Sequence, residues 1–283
     1  MHQLRLRLGI AVLTLVAASL SAPRASAEGR FIFQEKDRVV FLGDTLLERE
    51  QTEGYLETLL TARFPDKQLS FRNLAWAGDT VYGDSRAAFD TAKEGFERMV
   101  KHVHDAEPTV IMLCFGRNES FEGEAGLADF VAGYNKLLDA VADTNARLVF
   151  WGLPLLENLG YPLPDSTPQN KNVVLYNDAV RKIAEERGGR FIDIQEGIAN
   201  TWHAAPLTDN NIHFSNYGYW FFAMVSASEL GYSTTGGEAL SFRSFTLTPE
   251  VFFTAPLPDD APKAAQEDEV FHRDNIGERP TPY

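Results

Sequence analysis

The chain has one cysteine among its 283 residues, so an intrachain disulfide is impossible. Cations are also scarce, with 26 Lys and Arg against 40 Asp and Glu and a formal net charge of -14. That shortage argues against a nucleic-acid partner, because neutralising phosphates requires clustered Lys and Arg. With 44% hydrophobic and 12% aromatic residues and no internal repeat, the composition excludes collagen, coiled coil and wholesale disorder. What remains is a length suited to one large α/β domain or two small ones, with a core that needs no disulfide or metal staple.

The amino terminus does not read as part of the fold. Arg5 and Arg7 precede an uncharged run from Leu8 to Leu20, and Ala25-Ser26-Ala27 supplies the small residues of a cleavage site. The run is shorter than the ~20 apolar residues that span a bilayer. Residues 1–27 therefore read as a secretory signal peptide, whose removal takes three arginines and makes the chain more acidic. The expected location is periplasmic or extracellular, with no integral membrane segment after cleavage.

Five β-rich runs alternate with helical patterns: Arg38–Leu42, Leu69–Leu74, Thr109–Phe115, Arg147–Trp151 and Arg190–Ile194. All are short, and Arg38–Leu42, Thr109–Phe115 and Arg147–Trp151 are nearly continuous in apolar character, as expected of buried parallel strands. Leu127, Phe130, Val131, Tyr134, Leu137, Leu138 and Val141 recur at i, i+3, i+4, i+7, and Tyr176, Ala179, Val180, Ile183 and Ala184 repeat that spacing. The alternation predicts a doubly wound α/β sheet over residues 28–232. Beyond residue 233, Leu240–Phe253 reads as a hairpin, followed by an extended acidic tail rich in proline.

Ligands of such a sheet lie beyond the carboxyl ends of its strands, and four polar segments fall there: Gly43-Asp44-Thr45-Leu46, Ala77-Gly78-Asp79-Thr80, Gly116-Arg117-Asn118-Glu119 and Asp209-Asn210-Asn211-Ile212-His213. Acyl transfer needs a hydroxyl nucleophile, a base and donors aimed at the developing oxyanion. Thr45 offers the hydroxyl and His213 the imidazole, while Gly78 offers a backbone N–H and Asn118 an amide N–H. Asp44, Trp76 and Glu119 are the candidates for touching substrate, and Tyr82, Phe121 and Trp202 are further candidates for its walls. Ser120 and Ser215 read as a loop serine and a helix cap. His102 and His104 lie two apart on a helix and cannot converge, so no metal site and no cofactor are expected.

In order and content these blocks resemble the SGNH or GDSL-like hydrolases, whose pattern is Gly-Asp-Ser, a glycine after the second strand, Gly-x-Asn-Asp, and Asp-x-x-His. The resemblance spans about residues 36–232 and implies a three-layer α/β/α sandwich with a parallel five-stranded sheet of flavodoxin-like winding. It also implies ester hydrolysis of a small-molecule or carbohydrate ester, and it looks closest to secreted bacterial members reading Gly-Asp-Thr-Leu. Two positions depart from the pattern. Thr45 stands where the family has serine, and its methyl crowds the attacking oxygen. Asn210 stands where the family has its acid, with Asp209 one residue earlier; an acid-to-amide change in a triad costs about 10⁴ in turnover. Either Asp209 or Asn210 could orient His213. Two readings therefore stay open, an esterase with a threonine nucleophile and a non-catalytic carbohydrate-binding or scaffold protein of the same fold. The same winding also serves flavin and phosphoacceptor proteins, but the first loop lacks a phosphate cradle.

Overall fold

The computed structural model describes residues 29–201, 203 and 205–232. The expected signal peptide, the hairpin at 240–253, the acidic tail and Trp202 lie outside the described residues. Five strands form one parallel sheet: β1 (Arg38–Gly43), β2 (Ser70–Asn73), β3 (Val110–Cys114), β4 (Arg147–Trp151) and β5 (Arg190–Ile192). Their spatial order is β2-β1-β3-β4-β5, the flavodoxin-like winding. The strands are short, but β1 and β3 are buried along almost their whole length. This explains why they read as continuous apolar runs rather than alternating ones.

Among the described residues, seven α-helices accompany the sheet: α1 (Thr45–Glu53), α2 (Tyr55–Arg63), α3 (Ala92–Asp105), α4 (Gly123–Ala140), α5 (Thr167–Glu186), α6 (Ile194–Ala199) and α7 (Asn216–Glu229). Helices α1, α2 and α6 pack on α7, while α4 packs on α5, giving a helical layer on each face. Trp151 joins the sheet to α7, with its Nε1–H donating to Ser226 Oγ at 3.0 Å. Helices α4 and α5 meet through Phe130 and Tyr176, whose ring centroids are 4.9 Å apart. No helix among the described residues is long and apolar enough to cross a membrane.

The helix periodicity locates α4 and α5 but not the pair α1 and α2, whose apolar positions are interrupted by Gly54. That glycine ends α1, its N–H donating to Glu50 O at 2.7 Å, and α2 starts at the next residue. The last predicted strand is also shorter than expected. Asp193 accepts from Glu196 N as a helix cap, so Ile194 opens α6 instead of extending β5.

The sheet positions the site through its switch point between β1 and β3. Gly43, at the end of β1, lies so close to β3 that an added Cβ would meet Cys114 O at 2.6 Å. Asp44 N donates to Cys114 O at 3.3 Å, and Trp76 N donates to Gly43 O at 3.1 Å. Main-chain bonds thus lace the end of β1 to the end of β3 and to the segment after β2, at the carboxyl end of the sheet. Cys114 itself is buried, and burial pushes its thiol well above the usual range, so it is inert rather than nucleophilic.

Candidate active site

Asp44 caps α1, its Oδ1 accepting from Leu46 N at 2.9 Å, and such caps contribute about 1 kcal/mol. Its carboxylate is buried under the helix, so the expected contact with substrate gives way to a structural one. Burial raises the Asp44 pKa, with the Arg117 charge and the Leu46 N–H opposing that rise. Thr45 is the first residue of α1. Its backbone N–H belongs to the first turn, where amides have no intrahelical acceptor.

Gly78 N donates to Thr45 Oγ1 at 2.7 Å. This bond joins two segments 33 residues apart and depends on an unusual backbone. Gly78 has φ +70°, in a tight turn closed by Asp79 N donating to Trp76 O at 3.1 Å. A residue with a Cβ resists that conformation by roughly 1–2 kcal/mol. Ser85 Oγ donates to Gly78 O at 2.8 Å and holds the peptide from its other side.

Asn118 reaches the same turn from β3, its Nδ2 donating to Asp79 O at 2.8 Å. An amide carries two N–H groups, so one fastens the turn and the second remains to be aimed at a ligand. Beneath the turn, the buried Asp79 accepts from Arg86 Nε at 2.5 Å, and Arg86 Nη2 donates to Leu74 O at 2.6 Å. Glu119 does not line the crevice as expected. Its side chain is buried, Oε1 accepts from Val81 N at 2.9 Å, and Oε2 has no hydrogen-bond partner among the described residues. Desolvation raises its pKa to about 7. Ser120 is also buried rather than solvated; its Oγ donates to Arg117 O and accepts from Gln169 Nε2.

The fourth segment is a tight loop closed by a bridge between Thr208 and Phe214. Asp209 N donates to His213 O at 3.0 Å across the loop. Asn210 Oδ1 accepts from both Ile212 N (3.2 Å) and His213 N (2.9 Å). Asn210 therefore shapes the backbone that carries His213, and its amide oxygen is not left to orient the ring. Among the described residues, no hydrogen bond reaches either ring nitrogen of His213. Burial lowers the His213 pKa, helped by the charges of Arg49 and Arg117, while Asp209 opposes that fall. Asp209 is thus the carboxylate whose field reaches the ring. The imidazole is held toward its neutral, basic form. Ser215 caps α7, accepting from Gly218 N at 3.1 Å.

Arg117 is the residue whose importance the sequence reading passed over. It is almost fully buried, and its Nη1 donates to Ile212 O at 3.0 Å. It therefore ties the Asn118 segment to the His213 loop while its charge acts on both Asp44 and His213. A second anchor is Glu157, which accepts from Leu207 N, Thr208 N and Thr208 Oγ1. Neither residue lies in an informative periodicity, and the place of Arg117 inside a polar strand-end block was the one available signal.

Trp76 is half exposed beside this centre, at 50%. His104 bonds through its two ring nitrogens to Val100 O and Asp143 Oδ1.

Among solved structures, the chain is similar to LAE5, an alpha/beta hydrolase enzyme from the metagenome of Lake Arreo, Spain. Identity is 20%, the match covers 72% of this chain and 99% of that one, and the TM-score is 0.55. It is similar also to Axe2, an acetylxylan esterase from Geobacillus stearothermophilus crystallised as a catalytic mutant. Identity there is 17%, over 72% of this chain and 99% of that one, with a TM-score of 0.57. At these identities the likeness is one of fold. No curated protein matches the chain. Residues 41–221, which contain all four polar blocks, match the GDSL-like Lipase/Acylhydrolase family, and the chain belongs to that family.

Proposed function

We propose that the protein is an exported ester hydrolase, one of the secreted members with Gly-Asp-Thr-Leu at the first block, in which Thr45 replaces the usual serine nucleophile. The observation that carries this reading is the 2.7 Å bond from Gly78 N to Thr45 Oγ1. It puts the hydroxyl and a backbone donor from a separate segment at one point, at a helix N-terminus where negative charge is favoured. Asn118, fastened to the same turn, and the Thr45 N–H complete a set of three donors for an oxyanion.

In this scheme His213, neutral at pH 7, takes the Thr45 proton as Oγ1 attacks the acyl carbonyl. The tetrahedral intermediate collapses when the C–O bond to the alcohol breaks, and His213 returns the proton to the leaving oxygen. Water then attacks the acyl-threonine, gives its proton to His213, and releases the carboxylic acid as that proton passes back to Oγ1. Asp209 stabilises the imidazolium in both halves. No hydrogen bond joins His213 to Thr45 in the ligand-free site among the described residues; such contacts tighten when substrate binds.

An O-acylated carbohydrate is the proposed substrate. The exposed Trp76 and Phe121 rings and the acetylxylan esterase with the same fold support it. Hydrolysis of 4-nitrophenyl acetate and of acetylated xylan tests the reading. Thr45→Ala and His213→Ala should each lose at least about a hundredfold in kcat/KM, and equal activity in both variants would remove these residues from the mechanism.

The occupation of Asn210 by backbone amides favours a second reading, a binding protein without chemistry. Thr45→Ser separates the two. Relief of crowding at Oγ speeds an enzyme, whereas a protein with no functioning base stays silent.

A further inference from the structure

Next to the proposed nucleophile lies a cleft of about 380 Å³ between α1, the segment after β2, and α3. That volume falls at the small end of the range of ligand sites, ~300–1,000 Å³. It abuts the centre at two points. Ala77, in its wall, immediately precedes Gly78, and Glu48, also in its wall, stands one helical turn from Thr45. The cleft therefore neighbours the Thr45–Gly78 pair along the chain on both α1 and the loop after β2.

The lining is of two kinds. Trp76 supplies a large apolar surface, half of it exposed to water. The ring is held rather than loose: its backbone N–H is bonded to Gly43 O, and the Arg86 guanidinium lies over it, 5.9 Å from the centroid. Arg86 is itself fixed by Asp79 and Leu74 O. The lining also includes polar side chains that accept and donate hydrogen bonds, Glu48, Gln51 and His102. An aromatic plate and hydrogen-bonding side chains in one cleft match a pyranose ring, which has an apolar C–H face and hydroxyls around its edge.

Charge narrows the class further. The Arg86 cation is matched by the buried Asp79 carboxylate at 2.5 Å, and Glu48 brings an anion to the wall. A uronate or sulfated sugar would meet that anion without an uncompensated cation to hold it.

We infer that this cleft binds a neutral pyranose ring of the alcohol portion of the ester, stacked on Trp76 and hydrogen-bonded along the Glu48, Gln51 and His102 rim. The inference rests on the ester-hydrolase reading for its placement beside Thr45 but not for its measurement, since sugar binding is read without turnover.

Xylotriose, cellotriose and trigalacturonate are titrated into full-chain Thr45→Ala protein by calorimetry and saturation-transfer NMR. At least one neutral trisaccharide should bind, and trigalacturonate at least tenfold more weakly. Adding Trp76→Ala should raise Kd at least tenfold, and Trp76→Phe, which keeps a ring on the loop, should recover part of the loss. Gln51→Ala, on the exposed surface of α1, should weaken binding severalfold and serves if the Trp76→Ala chain does not fold. Failure of both neutral trisaccharides to bind, preference for trigalacturonate, or unchanged Kd in the Trp76 and Gln51 variants would overturn the inference. Turnover of 4-nitrophenyl acetate by the wild type keeps the two readings apart. Turnover without sugar binding ends this inference alone, and Trp76-dependent sugar binding without turnover ends the hydrolase reading alone.

Discussion

Replacing Glu119 by glutamine should stabilise the protein at alkaline pH and leave it almost unchanged in acid. The Glu119 carboxyl is buried, with Oε1 bonded to Val81 N and Oε2 without a partner, and its pKa rises from 4.5 to about 7. Between those values the folded chain keeps a proton that the unfolded chain has released. Stability then falls as pH rises, by about 1.36 kcal/mol per pH unit. The contribution is fully present below pH 4.5, declines toward pH 7, and is lost above it. Over that window the loss amounts to about 3 kcal/mol, a large share of the 5–15 kcal/mol that typically holds a domain together. Glutamine has the same shape, keeps an oxygen for the Val81 N–H, and carries no charge. Urea unfolding at pH 5, 6, 7 and 8 should show wild type and Glu119→Gln within about 1 kcal/mol at pH 5 and separated by about 2–3 kcal/mol at pH 8. Glu50, buried with its pKa raised to about 8, adds a slope of the same sign to both proteins and cancels in the difference. Parallel stability curves across this range would show that burial does not raise the Glu119 pKa as argued.

Three further outcomes test the site. Gly78→Ala should cost roughly 1–2 kcal/mol through its left-handed backbone and about 10²–10³ in kcat by moving an oxyanion donor; thermal unfolding and ester turnover read the two effects separately. Arg117→Met should destabilise by about 1–3 kcal/mol, because the part-buried Ile212 carbonyl loses its donor, and should disturb the His213 loop that this bond holds; a fully stable, fully active variant would deny that link. Because burial and two arginines lower the His213 pKa, kcat/KM should rise with pH along an acid limb centred below 6.5 and level off by pH 7, and a limb centred above 7 would remove His213 as the base.

Much of the architecture was legible in the chain because buried parallel strands and amphipathic helices leave local signatures. The apolar runs at 38–42, 109–115 and 147–151 and the spacing of Phe130, Tyr134 and Leu137 follow from which residues must leave water. The order of the four polar blocks identified the family for a related reason: three follow strand ends, which a doubly wound sheet gathers on one side, and the fourth is the loop that leads into α7. Roles within those blocks were less legible. Asp44 and Glu119 looked exposed in a list of loop residues, yet a carboxylate at a helix start or beside a packed turn is taken by backbone N–H groups. Asn210 could be seen as an acid's replacement but not as the acceptor of two amides.

Local sequence therefore determined the strands, the longer helices and the cast of polar residues, since period and side-chain chemistry act over a few positions. Tertiary structure alone decided that Gly78 meets Thr45, that Arg117 spans from one block to the His213 loop, and that Trp76 stands half in water beside a cleft. Those contacts join residues tens of positions apart, and their distances depend on the packing of the whole sheet rather than on any neighbouring residue.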